Sequence, residues 1–151
     1  MIIPSIIELN NPPVISALSL LDTYGILRVS KNKLVYLDID DKYIHKLHPL
    51  LNDFTIKMPD YFNNDSAGAH VSVAYPEERP LLDKKDLGKE YHFKVKRLVS
   101  TEINQQRYHC LLVDSPMLSQ LRIKYGLSEK LLFKNYAIGF HITIGVQPKT
   151  D

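Results

Sequence analysis

The sequence reads GAHVSVAYP at residues 68–76 and GFHITIGVQP at residues 139–148. In both stretches a glycine stands two positions before a histidine, and a hydroxyl residue stands two positions after it. Apolar residues separate the histidine from the hydroxyl residue and follow it, as in a half-buried β-strand. Two strands are therefore predicted, near residues 69–75 and 139–146, and each carries one histidine.

The alternation of side chains along a strand predicts a chemical face and an apolar face in each stretch. The chemical faces comprise His70, Ser72 and Ala74 in the first stretch and His141, Thr143 and Gly145 in the second. The apolar faces comprise Val71, Val73 and Tyr75 in the first and Phe140, Ile142, Ile144 and Val146 in the second. Since the apolar faces should pack under helices, each strand is left with an imidazole and a hydroxyl about 7 Å apart.

The chain leading to each histidine strand has the same order of predicted elements: a β-hairpin, a capped helix and a loop. In the first half these are the hairpin 25–40, the helix 40–51 and the loop 59–68, preceded by a short strand and a helix at 13–21. In the second half they are the hairpin 90–113, the helix 116–126 capped by Asp114 or Ser115, and the loop 127–137. This order predicts an α+β fold in one domain, residues 1–151, with two lobes of antiparallel sheet and flanking helices.

Two imidazoles and two hydroxyls suit the cleavage of a phosphoester without a metal ion. If a pseudo-twofold axis relates the lobes, the two chemical faces meet across one central groove. A neutral imidazole can take a proton from the attacking group while a protonated one gives a proton to the leaving oxygen. Histidine suits both roles because its pKa lies near neutrality. The hydroxyls can donate hydrogen bonds to the non-bridging phosphate oxygens.

The segments H-V-S-V at 70–73 and H-I-T-I at 141–144 resemble the paired H-x-[ST]-x motifs of the two-histidine (2H) phosphoesterase superfamily. This LigT-like group includes cyclic nucleotide phosphodiesterases and RNA 2′,5′-ligase-type enzymes, and the RNA-repair-associated "Swiss Army Knife" branch is the expected place of the chain within it. The resemblance implies a bilobal LigT-like fold. It also implies that His70 and His141 are the acid and the base, and that Ser72 and Thr143 bind the phosphate.

The expected activity is metal-independent hydrolysis of a 2′,3′-cyclic phosphate or a related RNA-terminal phosphodiester. Ligation of 2′,5′ ends would use the same site and differ in the attacking group. A non-catalytic module that binds nucleotide or RNA in the same groove is the main alternative. The third hypothesis is a protein-interaction domain in which the two histidine motifs arose by chance.

Further residues are candidates for substrate binding. Aromatic side chains in the loops before the histidine strands could stack on a base, and lysines that alternate on one strand face could bind phosphate. These candidates are Tyr61, Phe62 and Tyr136 among the aromatic residues and Lys94 and Lys96 among the basic ones. A solvated sheet face is the more ordinary interpretation of the lysines, and packing against the domain is that of the aromatic residues.

Other patterns in the sequence give weaker indications of function. His45 and His48 have a helical spacing that can bind a metal, but further ligands are not evident in the sequence. Cys110 is predicted to be a buried strand residue rather than a nucleophile. We expect neither a metal nor another cofactor.

The composition of the 151 residues, with 44% hydrophobic and 24% charged residues, is that of an ordinary globular domain. A net charge of +2 does not by itself indicate a nucleic-acid partner. The longest uncharged N-terminal run, from Glu8 to Asp22, is too short to span a bilayer. A single cysteine suits a reducing compartment. We therefore expect a cytoplasmic monomer with no membrane partner.

Overall fold

The computed structural model of the protein describes residues 2–148, and its fold is α+β, with antiparallel sheets and a few short helices. The strands are β1 (Ile6–Glu8), β2 (Tyr24–Val29), β3 (Val35–Asp38), β4 (His70–Ala74), β5 (Glu90–His92), β6 (Lys94–Ile103), β7 (Gln106–Asp114), β8 (Leu131–Phe133), β9 (Tyr136–Ile138) and β10 (His141–Pro148). The helices are α1 (Pro12–Leu18), α2 (Lys42–His45) and α3 (Pro116–Lys124), with 3₁₀ turns at His48–Leu51, Pro76–Glu78 and Lys84–Asp86. The predicted class and the antiparallel pairing are confirmed.

The described residues form two four-stranded sheets and one separate hairpin. The His141 sheet has the strand order β1-β6-β7-β10, and the His70 sheet has the order β4-β3-β2-β5. The hairpin pairs β8 with β9. Each histidine strand lies at an edge of its sheet, and β4 and β10 contact each other. The fold thus brings the two histidine-bearing edges side by side.

The two predicted hairpins are present, and the second differs from its prediction in one respect. β2 pairs with β3, and β6 pairs with β7 across a turn in which Asn104 and Gln105 both have positive φ, as a two-residue type I′ hairpin requires. The strand predicted from residue 90 to residue 100, however, divides at Phe93. Its first part, β5, pairs with β2 in the His70 sheet, and its second part, β6, lies in the His141 sheet. Phe93 is buried where the chain passes from one sheet to the other.

α3 begins at one of its two predicted caps, and α1 begins one residue before its predicted start. Ser115 accepts a hydrogen bond from the backbone N–H of Leu118 at 3.1 Å, Pro116 opens α3, and Gly126 follows its end with a φ of +80°. Near the N-terminus, the Asn11 side chain accepts from the backbone of Val14. α1 ends earlier than predicted, at Leu18.

The helix predicted over 40–51 is broken into α2 and the 3₁₀ turn that contains Pro49. Proline has no N–H and clashes with the preceding turn, so a continuous helix cannot form here. The side chain of Asp41, beside the start of α2, instead accepts a hydrogen bond from the backbone N–H of Ala69 at 3.0 Å. This bond holds the chain immediately before His70.

The prediction of a loop over 127–137 is wrong for its second part, which forms β8 and most of β9. Lys134 and Asn135 both have positive φ and make the tight turn between these strands. Leu131 is buried, whereas Leu132 is exposed, so the run Leu-Leu-Phe is a short strand with one buried side. Among residues 2–148, no helix is long and apolar enough to cross a membrane.

Candidate active site

The two predicted catalytic histidines make the same local hydrogen bond. The Nδ1 atom of His70 lies 2.7 Å from the carbonyl oxygen of Gly68, and the Nδ1 atom of His141 lies 2.9 Å from that of Gly139. A carbonyl oxygen can only accept, so Nδ1 carries the proton in both rings. Nε2 is then the nitrogen that can accept a proton in the neutral ring and donate one in the charged ring. The glycine two positions before each histidine therefore fixes the imidazole tautomer.

Both imidazoles are held in surroundings that favour the neutral form. Burial lowers the pKa of His70 below its ordinary value of 6.5, the hydrogen bond to Gly68 opposes this, and the nearby charge of His141 lowers it further. Burial also lowers the pKa of His141, against the effect of Gly139. A positive charge on His141 therefore disfavours a second positive charge on His70.

The two rings share one cavity, which has a volume of about 390 Å³. His70 and Ser72 reach it from β4, and His141 and Thr143 reach it from β10. Ser72 and Thr143 are buried, with only 7% and 8% of their surface exposed. The structure thus brings together the four residues that the two short segments singled out.

A β-bulge in each histidine strand changes the alternation that the sequence predicted. The pairing of β4 with β3 shifts between Ser72 and Ala74, and the pairing of β10 with β7 shifts between Thr143 and Gly145. An extra residue in one strand moves every later side chain to the opposite face. The bulges therefore lie at the same distance from the histidine in the two strands.

Three predicted face assignments are wrong as a result. Tyr75, predicted on the apolar face, lines the cavity beside Ser72. Gly145, predicted on the chemical face, instead lies against Ile56 and Leu51 on the other side of the sheet. Ala74 is likewise fully buried in the hydrophobic core rather than in the cavity lining. Intact apolar alternation in a sequence gives no signal for a bulge.

Two tyrosine side chains lie beside the two predicted phosphate-binding hydroxyls. Tyr61 is near Thr143, and Tyr75 is near Ser72. Burial raises the pKa of Tyr61 to about 12 and also raises that of Tyr75, so both phenols stay protonated at neutral pH. Each can donate a hydrogen bond within the cavity, to a hydroxyl or to an anion. Tyr61 was a sequence candidate, whereas Tyr75 was assigned to the wrong face.

Aromatic rings also fix the plane of His70. The ring of Tyr61 lies 4.8 Å from that of His70, and the ring of Tyr36 lies 5.7 Å from it, both in edge-to-face arrangement. Tyr36 was not singled out in the sequence, although it pairs with Ser72 across β3 and β4. Packing of this kind restricts the imidazole to one orientation.

Four of the five further candidates lie away from the cavity lining. Phe62 stacks on His45 with a ring separation of 4.4 Å. Lys94 and Lys96 are exposed on β6, where Lys94 pairs with Asp114. Tyr136 pairs with Phe133 in the β8–β9 hairpin. Tyr61 alone of the five appears among the described residues that line the cavity.

The charged residues in the described cavity lining are Lys130 and Asp65. Asp65 makes an exposed ion pair with Lys31 at 3.1 Å. Lys130 lies in the segment between α3 and β8, outside both histidine motifs, so it was missed. It is the one lysine or arginine in the described lining, so it supplies a positive charge that an anionic ligand would meet there.

Lys130 is positioned by a fully buried arginine. The guanidinium of Arg122, in α3, donates to the carbonyl oxygens of Ser128 and Lys130, each at 2.7 Å. It also donates to the carbonyl oxygen of Val73, at the bulge of β4, at 2.7 Å. One side chain therefore ties the lysine segment to the histidine strand.

Glu78 completes this cluster. Its carboxylate accepts two hydrogen bonds from Arg122, at 2.6 and 3.1 Å, in a bidentate pair. It also accepts from the backbone N–H of Tyr75 at 2.9 Å and of Leu132 at 3.2 Å. The Arg122–Glu78 cluster thus fixes the end of β4 and the start of the β8–β9 hairpin, and both border the cavity.

The remaining sequence candidates lie in ordinary settings. His48 Nε2 lies 2.7 Å from the carbonyl oxygen of Ile56, and His45 packs on Phe62. Within residues 2–148, histidine, cysteine and acidic side chains do not gather in threes or more as a metal site would require. Cys110 lines the cavity, and burial raises the pKa of its thiol to about 12, so it is held as the unreactive thiol.

Comparison with known proteins identifies the family. A family model described as "Swiss Army Knife, 2H phosphoesterase domain" matches residues 35–151, a span that contains both histidine strands, α3 and the cavity-lining lysine. No curated protein and no solved structure matches the chain. Because the matched span is well over half of the sequence, the chain belongs to the Swiss Army Knife branch of the 2H phosphoesterases.

Proposed function

We propose that the protein hydrolyses 2′,3′-cyclic phosphates by metal-independent acid–base catalysis with His70 and His141. The observation that carries this proposal is the presence of both imidazoles in one cavity, each with Nδ1 bound to a carbonyl and Nε2 left for proton transfer. Membership in the 2H phosphoesterases supports a phosphoesterase reaction. The cavity supports a compact phosphodiester as the substrate.

In the proposed reaction, the cyclic phosphate lies between the two rings. Nε2 of one neutral histidine takes a proton from water as the water oxygen bonds to phosphorus. Nε2–H of the other, protonated histidine gives its proton to the ribose oxygen as its bond to phosphorus breaks. One P–O bond forms as another breaks, and the product is a phosphate monoester. One histidine ends the step protonated and the other neutral, so the protons balance.

Ser72 and Thr143 are proposed to donate hydrogen bonds to the non-bridging oxygens, where charge is concentrated in the transition state. Their side chains line the cavity, and Tyr75 and Tyr61 lie beside them, where each phenol can donate a hydrogen bond to the neighbouring hydroxyl. When a tyrosine O–H donates to the serine or threonine oxygen, it polarises that hydroxyl. The serine or threonine hydroxyl then makes a stronger hydrogen bond to an anion. The tyrosines are thus proposed to strengthen and orient the serine and threonine.

We further propose that the chain is a single two-lobed domain in which a pseudo-twofold axis relates the halves around the site. Equivalent features support this. Each half has a glycine carbonyl two residues before its histidine, a hydroxyl two residues after it, and a bulge immediately beyond. Each histidine strand also lies at an edge of a four-stranded sheet.

The test is a panel of 2′,3′-cyclic mononucleotides and cyclic-ended oligonucleotides, assayed with EDTA present. We expect turnover with a bell-shaped pH profile, and replacement of His70 or His141 by alanine should lower kcat by roughly 10²–10⁴. His92→Ala is the matched control because His92 is exposed on β5 and lies outside the cavity lining. A requirement for added divalent metal, or full activity in either alanine variant, would contradict the mechanism.

A non-catalytic nucleotide-binding module is the second candidate. Aromatic and apolar side chains make up much of the described cavity lining, which would suit the binding of a nucleoside without any reaction. Two histidines with fixed tautomers favour the enzyme, because binding alone does not need a second titratable group. Tight binding of nucleotides without turnover of any cyclic phosphate would reverse this preference.

A further inference from the structure

The cavity extends beyond the histidines into a region built by the start of the chain. The family match begins at residue 35, but six lining residues precede it. They are Ile3, Pro4, Ile6, Ser30, Asn32 and Leu34. This part of the wall therefore lies outside the segment by which the family is recognised.

Hydrogen bonds at both ends hold the segment 2–8, here called the N-terminal wall. At one end, the backbone N–H of Ile2 donates to Asn135 at 2.9 Å, and the carbonyl of Ile2 accepts from Ala137 at 2.7 Å. At the other end, β1 pairs antiparallel with β6, with Ile6 opposite Thr101. The N-terminal wall thus runs from the β8–β9 hairpin to the edge of the His141 sheet and closes the cavity between them.

The surface beside this wall is largely apolar. Alternate residues of β6 and β7 form it, with one aromatic ring from β8 opposite. These residues are Val99, Thr101, Ile103, Tyr108, Cys110, Leu112 and Phe133. The cavity therefore has a polar end at the histidines and an apolar end at the N-terminal wall. A ligand that fills it has an anionic group at one end and a flat or apolar group at the other.

Charge limits the length of that ligand. A nucleic-acid strand carries one negative charge per nucleotide, and proteins that bind strands line the path with several lysines and arginines. In the described lining, Lys130 is the sole cation, and Asp65 is also present. This balance suits one phosphate group and disfavours a run of them.

We propose that the cavity-lining residues of the N-terminal wall, Ile3, Pro4 and Ile6, are the specificity element of the enzyme and hold the base of a single nucleotide. This inference rests on the proposed function, since it places the cyclic phosphate of the same molecule between His70 and His141. The base lies against Ile3 and Ile6 and over the apolar face of β6 and β7. An RNA terminus is a poorer substrate because Lys130 is the one lysine or arginine in the described lining that could meet its upstream phosphates.

The test compares Ile6→Ser with Ile7→Ser. Ile6 lines the cavity, whereas Ile7, the next residue of β1, points to the opposite face. Their exposed fractions are 46% and 53%, so the two substitutions should affect stability alike, as melting temperatures would check. For a nucleoside 2′,3′-cyclic phosphate, Ile6→Ser should raise KM about tenfold, and Ile7→Ser should leave it unchanged.

A substrate without a base isolates the contact. For 1-O-methylribose 2′,3′-cyclic phosphate, wild type and both variants should have equal KM. Equal effects of Ile6→Ser and Ile7→Ser, or the same loss on the base-free ester, would overturn the inference. So would a higher kcat/KM for a cyclic-ended oligonucleotide than for every mononucleotide tested.

Failure of the proposed function would look different. If the wild type turned over no cyclic phosphate, the proposed reaction would be wrong, and binding of a nucleoside 3′-monophosphate by calorimetry would then test the wall. Weaker binding to Ile6→Ser than to Ile7→Ser would support the assignment of the base to the N-terminal wall. Equal affinities for both variants would overturn it.

Discussion

The glycines two positions before the histidines both supply the carbonyl oxygen that binds the imidazole. The backbone conformation requires glycine at position 68 but not at position 139. Gly68 has a φ of +68°, and a Cβ there would lie 2.7 Å from a carboxylate oxygen of Asp41. Only glycine adopts this backbone conformation without strain. Gly139 has no atom within 4 Å of the position of a Cβ. Any residue at position 139 could supply the carbonyl oxygen that His141 needs. At position 68 the positive φ also requires glycine.

The buried histidines predict how stability depends on pH. Folding lowers the pKa of His70 and His141 below 6.5, so the unfolded chain binds more protons than the folded one as the pH falls through that value. The free energy of unfolding should be at its full value above about pH 6.5 and should decrease on acidification below it. Urea unfolding across this pH range measures the effect.

A double variant assigns this dependence to the pair. His70→Asn combined with His141→Asn should flatten the fall in stability on acidification, because two groups that resist protonation are removed. A smaller fall should remain, since burial also lowers the pKa of His109. His92→Asn, at an exposed position, is the control and should follow the wild type. Parallel profiles for the wild type and the double variant would contradict the assignment.

At the scale of the element, the two β-bulges decide which side chains enter the cavity. Val73 and Ala74 are both buried in the core although they are consecutive in a strand, and Tyr75 then turns back toward Ser72. A regular strand would place Tyr75 against the core instead. The bulge of β4 thus adds a phenol to the site. In β10 the corresponding bulge turns Gly145 away from the cavity and against Ile56 and Leu51.

Gly145 tests the bulge of β10. A Cβ at this position would lie 2.5 Å from Ile56 Cγ2 and 2.9 Å from Leu51 Cδ1, so Gly145→Ala should lower the free energy of unfolding by about 1–3 kcal/mol through overpacking. Gly139→Ala, just before the same strand, is the matched control and should change it by less than about 1 kcal/mol. Chemical denaturation measures both. Equal stabilities would mean that the strand adjusts without strain.

Local sequence signals predicted where helices and strands form better than they predicted which strands pair with each other. The cap at Ser115 and the alternation around His70 and His141 depend on neighbours in the chain, so α3 and the histidine strands were predictable. The division of a strand at Phe93 was not, because it depends on which sheet each part joins.

The same limit applies to the site. The paired motifs predicted four side chains that the structure places in one cavity. Tyr75 was missed because a bulge leaves no mark on the alternation of apolar residues. Lys130 was missed because it lies outside both motifs, and its segment is held near the site by the bond of Arg122 to Val73, which is far away in sequence. Tertiary contacts decided both cases, and a single sequence does not show them.

At the scale of the whole molecule, the Arg122–Glu78 cluster joins parts that are far apart in sequence. Arg122→Leu would leave the Glu78 carboxylate, only 6% exposed, without its cation. Loss of one partner from a buried ion pair costs about 3–5 kcal/mol. We expect a decrease of that size in the free energy of unfolding, measured by chemical denaturation.

Arg97→Leu is the matched control for this prediction. Its guanidinium lies 3.9 Å from Glu8, and both side chains are more than half exposed, so solvent screens the pair. This substitution should change stability by less than about 1 kcal/mol. If Arg122→Leu were equally mild, the cluster would not be what holds the Lys130 segment to β4.

The Arg122–Glu78 cluster also couples the cavity to the rest of folding. Arg122 of α3 joins the bulge of β4 to the Lys130 segment, and its partner Glu78 accepts a hydrogen bond from the backbone of β8. Before α3 docks, the backbone polar groups of these segments lack their hydrogen-bond partners, and burying them unpaired would cost free energy. These segments are therefore not expected to become ordered early in folding. The cavity should therefore be among the last features to form during folding. A partly folded chain would have both histidine strands and still lack a binding site.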